Sequence, residues 1–430
     1  MALSGYSITL ANAYAPQYSG EKTNTELHWK NPVIPISFSN SLIRQNSNIK
    51  AESDILGAIK RSLETWENVA DIKFEVFWTD KQTVSASGNS GDGISLVTIA
   101  PTSENLLMFS KDSDQVSART RVFFNKRGLI SEADIVLNPY QQFSTDGSIG
   151  TFDFESTLTH EIGHLLGLEH SNVFGSTMHE NNGKNGIFNL PAFDSRTLAE
   201  TDISAIRAIY GKSDSLNCCS VIEGKLTLPN GKTAKNFQVW LEDSETGKVI
   251  AQAITNADGF YQLKGISNGK FQLFAQELLN TKNTVSAENL GNVEILESKP
   301  LQVNKKLDGI SKAFDLRYIG FNGQLSELAV PLNGGKSYVV YLGAKKLNLK
   351  NARIGFNSPF LNIVPNTTVE HDFGENLSVI SFEVRVDGKI PFGEYSIFVE
   401  SDKKVKEYIT GSLVVEPFVN QWSNFVLSED

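Results

Sequence analysis

The sequence predicts a multidomain protein, in which an α+β domain is followed by two all-β sandwich domains. The chain has 430 residues, enough for two to four domains of ordinary size. Its first part combines helical with strand-like apolar spacing, whereas the part after residue 220 shows only short alternating strands between turns. A polar stretch at 212–217 separates the two parts, so we place a domain boundary there.

The elements of the first domain follow from the spacing of its apolar residues. Residues 33–38 (VIPISF) predict a strand, and residues 72–76 (IKFEV) alternate as on a half-buried strand. Between them, helical spacing relates Ile55, Ile59, Leu63 and Trp66. Residues 88–93 are rich in glycine and serine and predict a loop.

Residues 160–170 (HEIGHLLGLEH) carry the strongest chemical signal. His160 and His164 are four residues apart, so they project from one face of a helix, with Glu161 beside the first. Gly167 can adopt positive φ, which lets the chain turn and bring His170 back to the same point. Catalytic Zn²⁺ takes three protein ligands and keeps its fourth position for water. The spacing therefore predicts a zinc centre with Glu161 as general base.

A buried amphipathic helix with incidental histidines is the simpler alternative, since residues 158–166 also form an apolar stripe. A core helix, however, does not require histidines at these offsets. Four of the six histidines in the chain fall between His160 and His179. We therefore favour the metal site.

The segment fits H-E-x-x-H-x-x-G-x-x-H, the long zinc signature of the metzincin proteases, and Ser171 directly after it resembles the matrixin branch. Residues 176–178 resemble the Met-turn of that family, with Met178 beneath the metal. Residues 198–211 resemble its last helix, in which Asp202 supports the Met-turn. The resemblance implies a zincin-like catalytic domain and a secreted, zinc-dependent endopeptidase of the bacterial type.

The same resemblance indicates a substrate cleft. Residues 118–121, including Ala118, Arg119 and Thr120, would form the edge strand along which an extended peptide adds as a further strand. His179 either lines the specificity pocket or is a solvated side chain, and we slightly favour solvation. The loop 180–190 is polar and contains glycine, so we expect it to be mobile and to set the cleavage preference.

The second part reads as two β-sandwiches. Glycine-containing turns separate its strands, and residues 221–318 resemble the carboxypeptidase-regulatory-like fold, which implies a binding or stalk module without catalysis. Strand-like runs such as residues 379–386 and 393–399 resemble an immunoglobulin-like sandwich. The predicted division has four pieces: 1–25, an N-terminal arm or signal remnant; 26–212, the protease-like domain; 213–318, the first sandwich; and 319–430, the second sandwich with a tail.

Calcium is a second candidate cofactor beside zinc, because Asp134, Asp146 and Asp153 could supply oxygen ligands. Roles in turns and helix caps explain these aspartates equally well. The adjacent Cys218 and Cys219 form neither a disulfide framework nor a zinc-ligand pattern.

Composition limits the classes of partner. A net charge of −10 argues against nucleic acid, and no apolar stretch approaches the length of a membrane span. We expect a secreted or cell-surface monomer that acts on a polypeptide or glycoprotein substrate. The alternative is a cell-surface adhesion or glycan-binding protein with a vestigial protease domain.

Overall fold

A computed structural model describes residues 25–88, 90–110, 116–190, 196–213, 218–278, 284–296, 299–345, 352–372 and 377–416, together with residues 17, 114, 347 and 350. The predicted arm or signal remnant at 1–25, apart from Gln17 and Thr25, and the predicted C-terminal tail lie outside the described residues. Most of the polar linker at 212–217 does so as well.

The N-terminal α+β region is a twisted sheet with helices against it. Its elements are β1 (His28–Trp29), β2 (Val33–Ser39), α1 (Ile55–Glu67), β3 (Lys73–Thr79), β4 (Leu96–Thr98), α2 (Ser103–Leu107), β5 (Ala118–Phe124), β6 (Leu129–Leu137), β7 (Phe143–Ser144), β8 (Phe152–Asp153), α3 (Phe154–Leu165) and α4 (Glu200–Tyr210). The sheet order is β1-β6-β4-β2-β3, with parallel pairing throughout. β5 is antiparallel to β6 and has no other partner among the described strands, which confirms the predicted edge strand.

Helix α3 is the centre of this region, and all twelve of its residues are buried. It begins after Asp153, whose carboxylate accepts a hydrogen bond from the Ser156 amide at 2.9 Å and caps the helix. Trp66 on α1 is fully buried against it and donates its indole N–H to the Thr159 carbonyl at 2.9 Å. The predicted spacing of α1 is thus confirmed, and its apolar face fixes the position of α3.

The middle β region comprises two sheets around one core. Its strands are β9 (Ser220–Thr227), β10 (Phe237–Asp243), β11 (Val249–Ile254), β12 (Phe260–Ile266), β13 (Gly269–Glu277), β14 (Glu288–Ile295), β15 (Leu301–Gln302) and β16 (Lys305–Lys306). One sheet has the order β11-β10-β13-β14, and the other the order β12-β9-β15 with β16 also on β9. Side chains from both sheets share one hydrophobic cluster, an arrangement consistent with a β-sandwich. Cys218 and Cys219, just before β9, are bonded to each other.

The C-terminal β region is built in the same way. Its strands are β17 (Asp315–Phe321), β18 (Gln324–Ser326), β19 (Val330–Leu332), β20 (Ser337–Lys345), β21 (Ala352–Phe356), β22 (Leu361–Ile363), β23 (Val369–Asp372), β24 (Ser378–Val386), β25 (Gly393–Ser401) and β26 (Lys406–Val415). The sheets have the orders β18-β17-β20-β24-β22, with β23 on β24, and β19-β26-β25-β21. The predicted boundary between residues 318 and 319 cuts β17, which pairs along its length with β20. We therefore correct this boundary to a position before Asp315.

The α+β region packs directly against both β regions. Val173, in the segment after the histidine motif, is fully buried in a cluster with aromatic side chains of the middle and C-terminal β regions. The next residues pair with β26, as the amides of Phe174 and Gly175 donate to the carbonyls of Thr410 and Gly411 at 3.0 and 2.9 Å. A Cβ on Gly175 would lie only 2.4 Å from Val414, so the approach requires glycine. Among the described residues, we find no helix with the length and hydropathy of a membrane-spanning segment.

A buried carboxyl group lies in this contact. Glu394 on β25 is 5 % exposed, and its Oε2 atom has no hydrogen-bond partner among the described residues. Burial raises the pKa of Glu394 to about 8. The nearby carboxylates of Asp202 and Glu200 contribute to this raised pKa, while Lys248 acts in the opposite direction. The contact is therefore most favourable when this carboxyl is protonated.

Glu394→Gln should remove a pH-dependent cost. With a folded-state pKa of about 8 against an ordinary value of 4.5, the folded protein holds an extra proton between these pH values. The stability that the folded protein gains by keeping Glu394 protonated is therefore fully present below pH 4.5 and is lost as the pH rises towards 8. At about pH 8.5 we expect the variant to melt at a higher temperature than the parent. At about pH 4.5 the two proteins should melt at nearly the same temperature.

Calorimetry at both pH values measures this difference. Glu383→Gln, at a half-buried carboxylate on β24, serves as the matched control for replacing a carboxylate in the same region. If Glu394→Gln changed the melting temperature equally at both pH values, ionisation of Glu394 would not be the cause of the change.

Candidate metal centre and cleft

Three imidazoles meet at one point beside the edge strand. His160 and His164 lie one turn apart on α3, and His170 returns after the chain turns at Gly167, whose φ is +96°. Their candidate ligand atoms lie within 4.8 Å of one another, and the Nε2 atoms of His164 and His170 are 3.2 Å apart. A tetrahedral Zn²⁺ with bonds of about 2.0–2.1 Å holds its ligand nitrogens about 3.4 Å apart. The spacing of these residues therefore fits the ion.

Main-chain carbonyls orient two of the rings. His160 Nδ1 lies 2.7 Å from the Thr177 carbonyl, and His164 Nδ1 lies 2.8 Å from the Leu168 carbonyl. Since a carbonyl oxygen can only accept, Nδ1 carries the proton in both rings and each Nε2 keeps a free lone pair. This is the tautomer that a metal-binding histidine requires.

Burial keeps the imidazoles of His160 and His170 neutral. Burial, reinforced by His164, lowers the pKa of His160 to about 3. Burial also lowers the pKa of His170 far below its usual value, and His164 and His160 add to the effect. Because only neutral imidazole binds a metal, the protein does not need to remove protons from these rings at neutral pH.

Glu161 is positioned by the edge strand. Its side chain is 3 % exposed, and its Oε2 atom accepts a hydrogen bond from the Thr120 hydroxyl at 2.5 Å. Burial raises the pKa of Glu161, whereas His164, Thr120 and Arg119 lower it, in that order. The sequence predicts Thr120 only as part of the cleft. Its hydrogen bond to Glu161 is seen only in the structure, because the two residues are far apart in sequence.

The segment beneath the rings is held by Asp202. This buried carboxylate on α4 accepts hydrogen bonds from the Ser176 hydroxyl at 2.5 Å and from the Thr177 amide at 2.8 Å. Burial raises the pKa of Asp202 to about 6, although these donors lower it. Met178 follows and is fully buried against α3 beside Gly163. Asp202 thereby fixes the Thr177 carbonyl that orients His160.

The predicted cleft residues divide into two groups. Ala118, Arg119 and Thr120 all lie on the edge strand β5, as expected. His179 is 7 % exposed, so our preference for a solvated side chain is wrong. Its ring stacks on Phe174, and its Nε2 atom lies 3.0 Å from the Glu327 carbonyl of the C-terminal β region. It lines a cavity of about 240 Å³ between the α+β region and the two β regions.

Residues 180–190, which we call the wall segment, are tied down on several sides. The Asn182 side chain donates through Nδ2 to the Ser117 hydroxyl at 3.2 Å, and Asn185 shares backbone hydrogen bonds with residues 150 and 151. Phe188 is fully buried in the hydrophobic cluster of the C-terminal β region. The polar composition of this stretch predicts a mobile loop, and the structure differs because the aromatic ring of Phe188 is buried in another region.

The backbone of the wall segment is strained where Phe188 enters that cluster. Phe188 and Asn189 have φ of +54° and +58°, which costs roughly 1–2 kcal/mol per residue of this kind. Burial of a phenylalanine ring contributes about 1.5–3 kcal/mol. The free energy gained by burying the Phe188 ring is therefore similar in size to the cost of the left-handed backbone.

The aspartates considered for calcium have structural roles. Asp134 accepts the amides of Ser85 and Leu96 at 2.8 and 2.9 Å, and Asp146 accepts the Ser148 amide at 3.0 Å. Asp153 caps α3 and forms an ion pair with Arg196. Across the part of the chain that the structure describes, the histidine triad is the one cluster of three or more candidate ligands. The turn and cap interpretation accounts for Asp146 and Asp153, whereas Asp134 lies within β6 and accepts backbone amides of the neighbouring segments.

Residues 28–211 match the family model for matrixin, and this region is therefore a matrixin-like domain. A stretch of 89 residues is 32 % identical to the metalloendoproteinase 1-MMP of Arabidopsis thaliana. That match covers 20 % of this chain and 21 % of the plant protein, so the chain spans about a fifth of this relative.

Solved structures show only slight likenesses. The major pilin subunit of Bacillus cereus is 14 % identical over 46 % of this chain and 69 % of its own, with a TM-score of 0.19. Catechol 1,2-dioxygenase of Pseudomonas arvilla is 12 % identical over 24 % of this chain and 56 % of its own, with a TM-score of 0.17. At these TM-scores the likenesses identify neither a fold nor a function.

Gly163→Ala should destabilise the protein by about 1–3 kcal/mol, because an added methyl group forces a packed interior to shift. A Cβ at this position would lie 2.3 Å from Met178 Sδ and 3.0 Å from the Trp66 ring. Urea unfolding measures the loss. In a Met178→Ala background the sulfur is absent, so the penalty should shrink. An equal penalty in both backgrounds would show that Met178 does not impose the glycine.

Proposed function

We propose that the chain is a zinc-dependent endopeptidase, starting from its matrixin-like region at 28–211. The observation that carries the proposal is the convergence of His160, His164 and His170 beside Glu161. Carbonyl acceptors on two of the rings and the neutral state of the imidazoles favour binding of Zn²⁺. When bound, Zn²⁺ supplies Lewis-acid polarisation of the scissile carbonyl and lowers the pKa of a water towards neutrality.

The remaining steps belong to this chain's own residues. An extended polypeptide adds to the side of β5 that faces away from β6 through main-chain hydrogen bonds and presents one peptide bond to the site. Glu161 takes a proton from the attacking water and passes it to the leaving amine. Thr120 holds the carboxylate in the orientation for this transfer. No covalent bond forms between substrate and protein, and the products are a new carboxylate and a new amine.

The β regions complete the proposal. We interpret the middle region as a carboxypeptidase-regulatory-like module and the C-terminal region as an immunoglobulin-like module. Each supplies a surface on which a polypeptide or glycoprotein substrate can be held. An endopeptidase of this class acts outside the cell, and we infer a secreted or cell-surface location on that ground.

Glu161→Gln should retain zinc and lose about 10²–10⁴-fold in hydrolysis of an unfolded protein, because the proton acceptor is gone. Metal analysis and a casein-type assay measure the two quantities. Glu75→Gln, at an exposed carboxylate on β3, controls for the change of charge. A parent protein that binds zinc without cleaving any peptide would instead support the adhesion alternative.

Thr120→Val should lower kcat/KM about 10- to 100-fold, since a hydrogen bond to a charged group is worth roughly 1.5–3 kcal/mol and about 1.4 kcal/mol corresponds to a tenfold change. Thr120→Ser keeps the hydroxyl and should stay within about twofold of the parent. Steady-state kinetics on one peptide substrate compare the two variants. Equal losses in both would mean that Thr120 acts through its shape on the strand and not through the carboxylate.

A further inference from the structure

We propose that the C-terminal β region sets the substrate preference of the cleft, because it clamps the wall segment in place. The inference rests on the proposed function, since a preference exists only if the cleft cleaves peptides. It assigns positioning roles to Asn322 and Gln324, which lie more than 130 residues beyond the wall segment in sequence. The β region then acts as part of the protease instead of only tethering it.

The wall segment borders the cleft. It starts two residues after Met178, which packs beneath the metal site, and passes the edge strand where Asn182 donates to Ser117. Further on, the Gly150 amide donates to the Asn185 carbonyl at 2.8 Å, and the Asn185 amide donates to the Thr151 carbonyl at 2.9 Å. Residues 150 and 151 lead into α3. The wall segment thus runs from beneath the histidine triad to the edge strand β5 and back towards α3.

The C-terminal β region satisfies both polar groups of the backbone at Phe188. The Phe188 amide donates to the Gln324 side-chain oxygen at 2.7 Å, and the Asn322 side chain donates to the Phe188 carbonyl at 2.7 Å. The Phe188 ring lies in the core of that region, edge-on to Phe321 with 6.3 Å between ring centroids. We refer to Asn322 and Gln324 as the clamp.

The strained backbone explains why the clamp matters. Two consecutive residues other than glycine, Phe188 and Asn189, are left-handed, and such a conformation persists only where its surroundings impose it. At the other end of the segment, the ring of His179 lies against the Glu327 carbonyl of the same β region. The end of the wall segment around Phe188 is therefore held from outside the α+β region, and this contact contributes to the space left for substrate side chains beside the segment.

The clamp can be tested without unfolding the protein. Asn322 and Gln324 are exposed apart from these contacts, so their replacement leaves the core intact. The double variant Asn322→Asp, Gln324→Leu removes the donor and the acceptor with little change in size, and aspartate tolerates the left-handed backbone at this position. Gln324→Glu retains an acceptor and is the matched control. Asn362→Ala, at an exposed residue on β22, controls for changes elsewhere in the region.

Two readouts on the full-length, zinc-loaded protein decide the question. Hydrogen exchange should accelerate about tenfold in residues 180–190 of the double variant, because two hydrogen bonds are lost, and stay unchanged in both controls. Cleavage of a peptide library should show a broader preference at the residues flanking the cut. For the best parental peptide, kcat/KM should fall about five- to tenfold at constant zinc content.

Each outcome has a distinct meaning. Unchanged exchange in the double variant would show that the clamp does not hold the wall segment. Faster exchange with an unchanged cleavage profile would show that the wall segment does not set the preference, and would overturn the proposal. If the parent protein cleaves nothing, the proposed function fails and the claim about preference falls with it. Hydrogen exchange then still decides whether the clamp holds the segment.

Discussion

The arrangement depends on one requirement, that three neutral imidazoles present their lone pairs to the same point. A helix can place two rings on one face, but it cannot by itself choose their tautomers. Carbonyl acceptors make that choice, from Thr177 for the first ring and from Leu168 for the second. Both acceptors lie in segments that follow α3, so the chain after the helix must fold back against it. Gly167, Asp202 and the buried Met178 all serve this return of the chain.

The local chemistry of the site could be read from the sequence because it is encoded at short range. The spacing of His160, His164 and His170 predicts which side chains share a helix face and where the chain must turn. The edge strand and α1 were predictable for the same reason, since apolar spacing within a few residues determines them. The confirmed elements are those whose partners lie in a regular pattern along the chain.

Contacts between distant segments could not be predicted in this way. The polar character of residues 180–190 indicated a mobile loop, because nothing nearby in sequence could bury Phe188. Its hydrogen-bond partner Gln324 lies 136 residues further on, and an amide side chain at the start of a short strand gives no indication of such a role. His179 was misjudged for the same reason, since the group that covers it is a backbone carbonyl of the C-terminal β region. The boundary at 318 failed because β17 differs from the preceding strands in its partner and not in its composition.

The close backbone approach of Gly175 and Gly411 has a consequence for how such a protein can change over time. Domains joined only by a linker can be shuffled between genes as independent cassettes. Here two glycine residues of one chain approach each other, with 2.9 Å between the Gly175 amide nitrogen and the Gly411 carbonyl oxygen, and Gly411 has φ of +62°, which few other residues adopt readily. A C-terminal module from another lineage would have to carry the matching glycine, and the recipient would have to keep its own. The two regions are therefore expected to be inherited as a pair.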